Sequence, residues 1–243
     1  LLAEMYQRYA DDNYWKLRDR TNTVGFVPED LESYSLEQLL EHAAKHYMAS
    51  VENEKAIEVP IGNFGAITYE GTDTIDQLRP TLYDFLAHRA VDHFTNERSY
   101  LTQPASRFLI NDEEAFAPAS EFVRFEFTTP DTTSYQFKTL QIFQKLLKLR
   151  LDEEKPEALL DADLKRLKFV HQKTTLSNGD SLYLLALQEL EEKYTRTSAV
   201  TEVWYYMAKH YQSLGNEYTP EKEQHKWKLK EALELCEKAI EQY

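Results

Sequence analysis

The histidine pair His42 and His46 is the first place in this sequence to look for metal chemistry. The two residues are four apart, so on a helix both rings leave from one face and can meet one ion. The motif reads His-Ala-Ala-Lys-His, however, and lacks the glutamate of the H-E-x-x-H zinc-protease motif. Because no third ligand is close in sequence, we interpret both as surface histidines and predict no metal site and no cofactor.

Two acidic clusters, at 111–114 and 161–163, contain carboxylates of the kind that hold Ca²⁺. Asp161 and Asp163 also suit the first turn of a helix, where the helix dipole favours acids. We therefore interpret both clusters as capping groups or solvated surface. A glycosidase-type acid pair needs two carboxylates about 5–10 Å apart. The sequence has 42 acidic residues and does not identify such a pair.

The sequence contains one cysteine, Cys236, which excludes an internal disulfide. Cys236 occupies a core-type position of a helical pattern, so we interpret it as a small buried hydrophobe and not as a nucleophile. There is no G-x-S-x-G, no phosphate-binding loop and no G-x-G-x-x-G. We predict no catalytic residues and expect that the protein is not an enzyme.

Charge and hydropathy exclude two classes of partner. The formal net charge is −14, which disfavours nucleic acid and anionic membrane surfaces. No apolar run approaches the roughly 18 residues that cross a bilayer, so we predict no membrane insertion. The six glycines and eight prolines in 243 residues are few, which favours helices over a strand-and-turn fold.

The strongest structural signal in the sequence is a helical pattern near the C-terminus. Trp204, Met207, Ala208 and Tyr211 stand at i, i+3, i+4 and i+7, which is one face of a helix. They also match the W-x₂-L-G-x₂-Y signature of the tetratricopeptide repeat, with Met for Leu and Ala for Gly. Because Met fills a Leu-sized gap and Ala permits a close neighbour, both replacements preserve the packing.

A second helix of the same repeat is expected after a turn. Gly215 or Asn216 can end the first helix in a left-handed conformation. The two helices are separated by about a dozen residues more than a roughly 34-residue repeat allows. We predict that the polar stretch 219–230 accommodates the excess, in a longer second helix or a longer turn. The second helix carries three residues of the signature: Ala232, Cys236 and Ala239.

The first helix of this pair also provides a candidate binding surface. In tetratricopeptide-like arrays the inner face of the first helix lines a groove. By that analogy the residues opposite the Trp204 stripe face a partner protein. The predicted partner-binding residues are Glu202, Tyr205, Lys209 and Gln212.

Capping residues predict several further helices upstream. The predicted N-terminal residues are Ser35 for a helix to about 50, Pro80 for the next, Asp131 or Thr132 for a helix to about 151, and Asp180 for 181–194. Another helix is predicted over 159–172.

The fold class is predicted to be all-α, an α-α superhelix or solenoid of tetratricopeptide-like hairpins. Loops are expected at 21–28 and 57–74, and an irregular insertion at about 99–130. Alternating apolar residues in this insertion predict a minor extended or short-strand segment around 105–128. Two regions follow, an N-terminal helical region at 1–134 and tetratricopeptide-like repeats at 135–243.

Several segments together resemble the N-terminal helical region of large bacterial alpha-2-macroglobulin-family proteins, in the form found among Bacteroidetes. The likeness extends through the whole chain and is specific as an assembly of segments. The segments are 2–15, 79–90 (RPTLYDFLAHRA), 116–123 (FAPASEFV), 129–131 (TPD) and 161–170 (DADLKRLKFV).

The resemblance implies a piece of a longer periplasmic or cell-envelope protein, with macroglobulin sandwiches in later domains. Some family members, which are endopeptidase inhibitors, also carry a bait region and a thioester. The thioester requires a C-x-E-Q pattern, and the segment that begins at Cys236 has these letters without the spacing. Protease trapping is therefore not expected of this segment.

Our leading hypothesis is a non-enzymatic helical scaffold that docks the downstream domains of its own longer chain or another envelope protein. An alternative is a carbohydrate- or nutrient-capture segment with tetratricopeptide-like helices, as in outer-membrane lipoproteins. A further alternative is a helical enzyme that acts on glycans through two acids. Glycan binding without turnover would favour the first alternative, and turnover would favour the second.

Overall fold

The parts of the chain that the structure describes are mainly helical. Among the described residues there are two isolated β-bridges and no β-strand, so the predicted all-α class is confirmed. The computed structural model describes residues 1–20, 30–65, 75–96, 107–153 and 155–243.

Parts of three sequence-based predictions lie outside the described residues. These parts are the loop at 21–28, residues 66–74 of the stretch at 57–74, and residues 99–106 of the predicted insertion.

The α-helices are numbered in chain order. Short 3-10 helices at Leu31–Ser33, Glu54–Glu58, Ile61–Phe64, Glu113–Phe116 and Glu223–His225 lie between them. The α-helices are α1 Leu2–Asp12, α2 Tyr14–Leu17, α3 Leu36–Glu52, α4 Ile75–Leu78, α5 Leu82–Thr95, α6 Ala119–Phe122, α7 Tyr135–Leu151, α8 Pro156–Lys173, α9 Gly179–Tyr194, α10 Val200–Asn216 and α11 Lys228–Gln242.

The chain forms two compact units, and each unit consists of two stretches that are separate in sequence. Unit 1 contains Leu1–Phe108 and Thr128–Leu146, and unit 2 contains Leu109–Phe127 and Leu147–Tyr243. Residues 109–127 therefore pack with the C-terminal helices, although they precede α7 in sequence.

In unit 1, α3 packs between α1 and α5. A capping box begins α3: the Ser35 hydroxyl accepts from the Gln38 N–H at 3.2 Å, and the Gln38 side chain accepts from the Ser35 N–H at 3.0 Å. The prediction that Ser35 caps this helix is confirmed. The buried cluster between α1, α2 and α3 consists of Ala10, Leu17, Leu36, Leu39 and Leu40.

His42 and His46 lie on α3 and pack against α1. Their rings stack on the Tyr6 ring, with centroid distances of 5.2 and 5.7 Å. Both are half-buried. The interpretation as surface histidines is therefore corrected: the pair covers an aromatic ring at a helix–helix contact.

A third histidine, His93 on α5, is buried among aromatic rings in unit 1. It is 5% exposed and stacks on Tyr47 at 4.4 Å. Neither ring nitrogen has a hydrogen-bond partner among the described residues. Burial, with a smaller contribution from the charge of Lys138, lowers the pKa of His93 from 6.5 to about 4. The ring is therefore held in its neutral form.

We expect His93 to make unit 1 less stable in mild acid. The unfolded chain binds a proton as the pH falls through 6.5, whereas the folded chain binds it only near 4. Stability should therefore fall by about 3 kcal/mol between these pH values. His93→Phe keeps an aromatic ring and removes this contribution. Urea denaturation of both proteins at pH 7 and 4.5 measures the difference, and equal losses in both would contradict the assignment.

In unit 2, consecutive helices pack as neighbours: α8 on α9, α9 on α10 and α10 on α11. The 3-10 helix at Glu113–Phe116 contacts both α8 and α9. Next to it, the Ile110 carbonyl accepts a hydrogen bond from the Thr175 N–H at 2.9 Å. The segment 109–127 is thus part of the unit 2 core.

A buried ion pair joins this segment to α8. Arg166 and Asp163 are 1% and 3% exposed, and Arg166 Nη2 lies 2.7 Å from Asp163 Oδ1. Arg166 Nη1 donates to the Ala115 carbonyl at 2.6 Å, and the guanidinium lies over the Phe122 ring at 4.5 Å. Because α8 begins at Pro156, Asp163 lies beyond the first turn, and the prediction that it caps the helix or is solvated surface is wrong.

The short strand predicted around 105–128 is not present within 107–128. This region contains a 3-10 helix, the single turn α6 and irregular backbone, with one isolated bridge between Ile110 and Thr174. The alternating residues Val123, Phe125 and Phe127 are half-buried or buried, and Arg124 and Glu126 between them are exposed, but the backbone that carries them forms no strand.

The predicted starts of α7 and α9 are among those that are displaced. Ser134 caps α7, since its hydroxyl accepts from the Phe137 N–H at 3.2 Å. Asp131 instead accepts from the N–H and hydroxyl of Thr133. The N-terminal boundary residue of α9 is Asn178 and not Asp180, whose carboxylate contacts a histidine.

Candidate functional site

The face of α10 predicted to form the core is buried as expected. Trp204, Met207, Ala208 and Tyr211 are all buried. The Trp204 Nε1–H donates to Glu191 Oε1 on α9 at 2.6 Å. The Lys238 ammonium on α11 bonds the same carboxylate oxygen at 2.8 Å and lies 4.2 Å from the centre of the Trp204 ring. Trp204 therefore connects α9, α10 and α11.

The predicted partner-binding residues lie on the opposite side of α10. Glu202, Tyr205, Lys209 and Gln212 are all exposed. Tyr205 is 59% exposed. Lys209 Nζ donates a hydrogen bond to Gln212 Oε1 at 3.3 Å. The four residues are accessible to solvent, and their binding role stays a prediction.

Helix α11 carries a second apolar stripe that the sequence pattern did not indicate. Leu229, Leu233, Cys236 and Ile240 stand at i, i+4, i+7 and i+11, and all four are exposed. The prediction that Cys236 is buried is wrong. We name these four residues the α11 stripe.

A long turn at 217–227 precedes α11. The helix starts only at Lys228, so the excess length between the two helices lies in the turn. Ala232 then becomes the buried residue of α11. Of the three predicted signature residues, Ala232 is buried, Ala239 is half-buried and Cys236 is exposed, so the observed buried face of α11 differs from the predicted one.

Three side chains in unit 2 converge although they are far apart in sequence. They are His171 in the last turn of α8, Asp180 in the first turn of α9, and His210 on α10. One ligand atom from each lies within 4.8 Å of the others. His171 Nε2 and Asp180 Oδ1 are 2.7 Å apart.

Tyr183 on α9 orients both imidazoles. Its ring stacks on His171 at 4.2 Å with an interplanar angle of 8°. It meets the His210 ring edge-on at 5.4 Å and 82°. Burial raises the pKa of Tyr183 and keeps the phenol protonated.

His210 is the buried member of the cluster, at 5% exposure. Its Nε2 has no hydrogen-bond partner among the described residues. Burial, followed by the charge of His171, lowers the pKa of His210. The imidazole is therefore held in its neutral form near pH 7.

Sequence reasoning missed this cluster because its spacing matches no motif. Local patterns detect ligands within one helix, such as the pair His42 and His46, whereas this cluster depends on the packing of three helices. The only local signal was Asp180, whose position beside a turn was explained as a cap.

No protein-family model, curated protein or solved structure matches this chain. Within the described residues, no helix combines the length and the apolar composition needed to cross a membrane.

Proposed function

We propose that this chain is a non-enzymatic helical scaffold of tetratricopeptide-like pairs, and that the α11 stripe binds an amphipathic helix with lysine and arginine beside its apolar face. The observation that carries the proposal is the stripe itself. Leu229, Leu233 and Ile240 are 51%, 56% and 80% exposed. Side chains of this kind, aligned over three turns of a well-packed helix, indicate a surface that a partner covers.

The shape of the stripe favours a helix as partner. It extends about 16 Å along α11 and is one side chain wide. An amphipathic helix places its own apolar residues in such a row, and two rows pack ridge into groove at about 8–10 Å between axes. The helices within unit 2 already pack on one another in this way, so a partner helix would extend the stack.

The charge beside the stripe favours a basic partner. Glu237 and Glu241 lie on its flank together with Glu234, which is 3.5 Å from Lys230. The side of α11 beside the stripe therefore carries a net negative charge. A second copy of this chain, at a net charge of −14, would place like charges together at this contact. A helix with Lys or Arg at the flanking positions would pair with them.

The resemblance to alpha-2-macroglobulin-family proteins supplies the source that we propose for this helix. It would belong to a downstream domain of the same longer chain, in the periplasm or cell envelope. The exposed face of α10, with Tyr205 at its centre, is proposed as a second contact of the same scaffold.

Cys236 provides a direct probe of the stripe, because it is the only cysteine and it is exposed. We expect a helical peptide with a Leu/Ile face and Lys/Arg flanks to slow the reaction of this thiol with a maleimide. The same peptide with Glu flanks should protect it much less. Leu233→Glu should weaken binding of the basic peptide roughly 10–30-fold, because a charge would enter the apolar contact.

Leu185→Glu on α9 is the matched control, since Leu185 is 53% exposed and lies outside the stripe. It should leave protection unchanged, and Tyr205→Ala tests the α10 face in the same assay. Equal protection by both peptides, or by neither, would contradict the proposal. Protection that appears without peptide as the protein concentration rises would instead assign the stripe to a homodimer.

A further inference from the structure

We propose that His171, Asp180 and His210 bind a divalent transition-metal ion that prefers imidazole ligands, with Zn²⁺ as the best fit. This site is independent of the α11 stripe. Among the described residues, this is the group in which three or more ligating side chains lie close enough to share an ion.

The first argument is the buried nitrogen of His210. A buried polar atom without a partner is rare and needs a physical explanation. His210 is only 5% exposed, and its Nε2 has no hydrogen-bond partner within the described residues. The aromatic rings beside it among the described residues are those of His171, Tyr183 and Tyr211. An ion bound to His210 through this nitrogen, and shared with His171 and Asp180, would satisfy it.

The second argument is the geometry of the three ligand atoms. A tetrahedral zinc ion lies about 2.0–2.2 Å from nitrogen and oxygen ligands, so its ligand atoms are about 3.3 Å apart. The three atoms here lie within 4.8 Å of one another, and the closest pair is at 2.7 Å. Side-chain adjustments of about 1 Å are therefore sufficient. Binding of the ion would replace the hydrogen bond between His171 Nε2 and Asp180 Oδ1. The hydrogen of the His171 ring would then be on Nδ1, which leaves the Nε2 lone pair for the ion.

The third argument is the surroundings. Tyr183 fixes the orientation of both imidazoles, as outer-shell residues do in metal sites. The Asp180 side chain is 63% exposed, so one side of the site is open to water as a fourth ligand. The positive charge of Lys228 acts on His210, and Glu231 pairs with this lysine at 2.7 Å.

The ligand types select among ions. Two imidazoles and one carboxylate suit Zn²⁺, Co²⁺, Ni²⁺ and Cu²⁺, whereas Ca²⁺ and Mg²⁺ require oxygen ligands. The bound ion would connect the end of α8, the start of α9 and the middle of α10. Its effect would be to stabilise unit 2.

The test uses chelator-treated protein and ZnCl₂. We expect one equivalent of Zn²⁺ to bind, and the melting temperature to rise by about 5–10 °C when free zinc is about 100 times Kd. EDTA should reverse the rise, and Ca²⁺ and Mg²⁺ should not produce it. Co²⁺ should bind in its place and give the visible absorption of a four-coordinate site.

Asp180→Asn and His171→Gln are the main variants, because both residues are at least partly exposed and their loss should not unfold the chain. Each should weaken zinc binding at least about tenfold while the zinc-free melting temperature stays the same. His42→Gln/His46→Gln is the matched control and should bind zinc normally. Absence of binding by the unaltered protein, or binding that both main variants retain, would overturn the proposal. Loss in the control would assign the ion to α3.

Discussion

Replacing Trp204 by alanine is expected to lower the free energy of unfolding of unit 2 by about 3–5 kcal/mol. The ring is 1% exposed and lies where three helices meet. Its removal leaves a cavity and takes the Nε1 donor from Glu191. It also removes the aromatic face beneath the Lys238 ammonium. Urea denaturation followed by circular dichroism measures the loss.

Two other substitutions separate these contributions. Trp204→Phe keeps most of the packing and loses the hydrogen bond, so it should cost less than the alanine variant. Trp227→Ala removes a tryptophan that is 63% exposed in the same unit and should change stability by less than about 0.5 kcal/mol. If Trp204→Ala and Trp227→Ala had equal effects, the packing described for Trp204 would be wrong.

Replacing Arg166 by methionine should destabilise unit 2 by a similar amount, about 3–5 kcal/mol. The substitution leaves the Asp163 carboxylate buried without its cation. It also takes the donor from the Ala115 carbonyl. The charge is lost where water cannot replace it, because both side chains are almost fully buried.

The double variant Arg166→Met/Asp163→Leu tests the reason for this loss. An apolar pair of similar volume often replaces a buried ion pair at little cost. The double variant should therefore be more stable than Arg166→Met alone, although it still lacks the Ala115 hydrogen bond. A double variant as unstable as the sum of the two single variants would show that the two charges do not depend on each other.

Helices were predictable from sequence where their evidence is local. The Trp204 stripe and the Ser35 cap each lie within one or two helical turns, and periodicity or a capping motif is enough to locate them. The start of α9 was not predictable to the residue, because Asn178 and Asp180 are both suitable capping types. The contact of Asp180 with His171 decides between them, and this contact is tertiary.

The orientation of a helix and the convergence of distant side chains were not predictable. Cys236 fits a core position of the repeat signature, yet it lies on the exposed side of α11. His210 is 30 residues beyond Asp180, and Arg166 reaches a carbonyl 51 residues before it. Such contacts follow from how helices pack, which spacing within one helix does not encode.

Gly215 lies at a close contact between α10 and α11. It lies inside α10 and not in a left-handed cap, which corrects the sequence-based expectation. A methyl group there would approach Leu229 Cγ at 2.7 Å and the Leu229 backbone nitrogen at 2.9 Å. Because a backbone atom cannot rotate away, one added carbon would have to displace the beginning of α11. The close approach of α11 to α10 therefore depends on the absence of a side chain at Gly215, and Gly215→Ala would require the two helices to move apart.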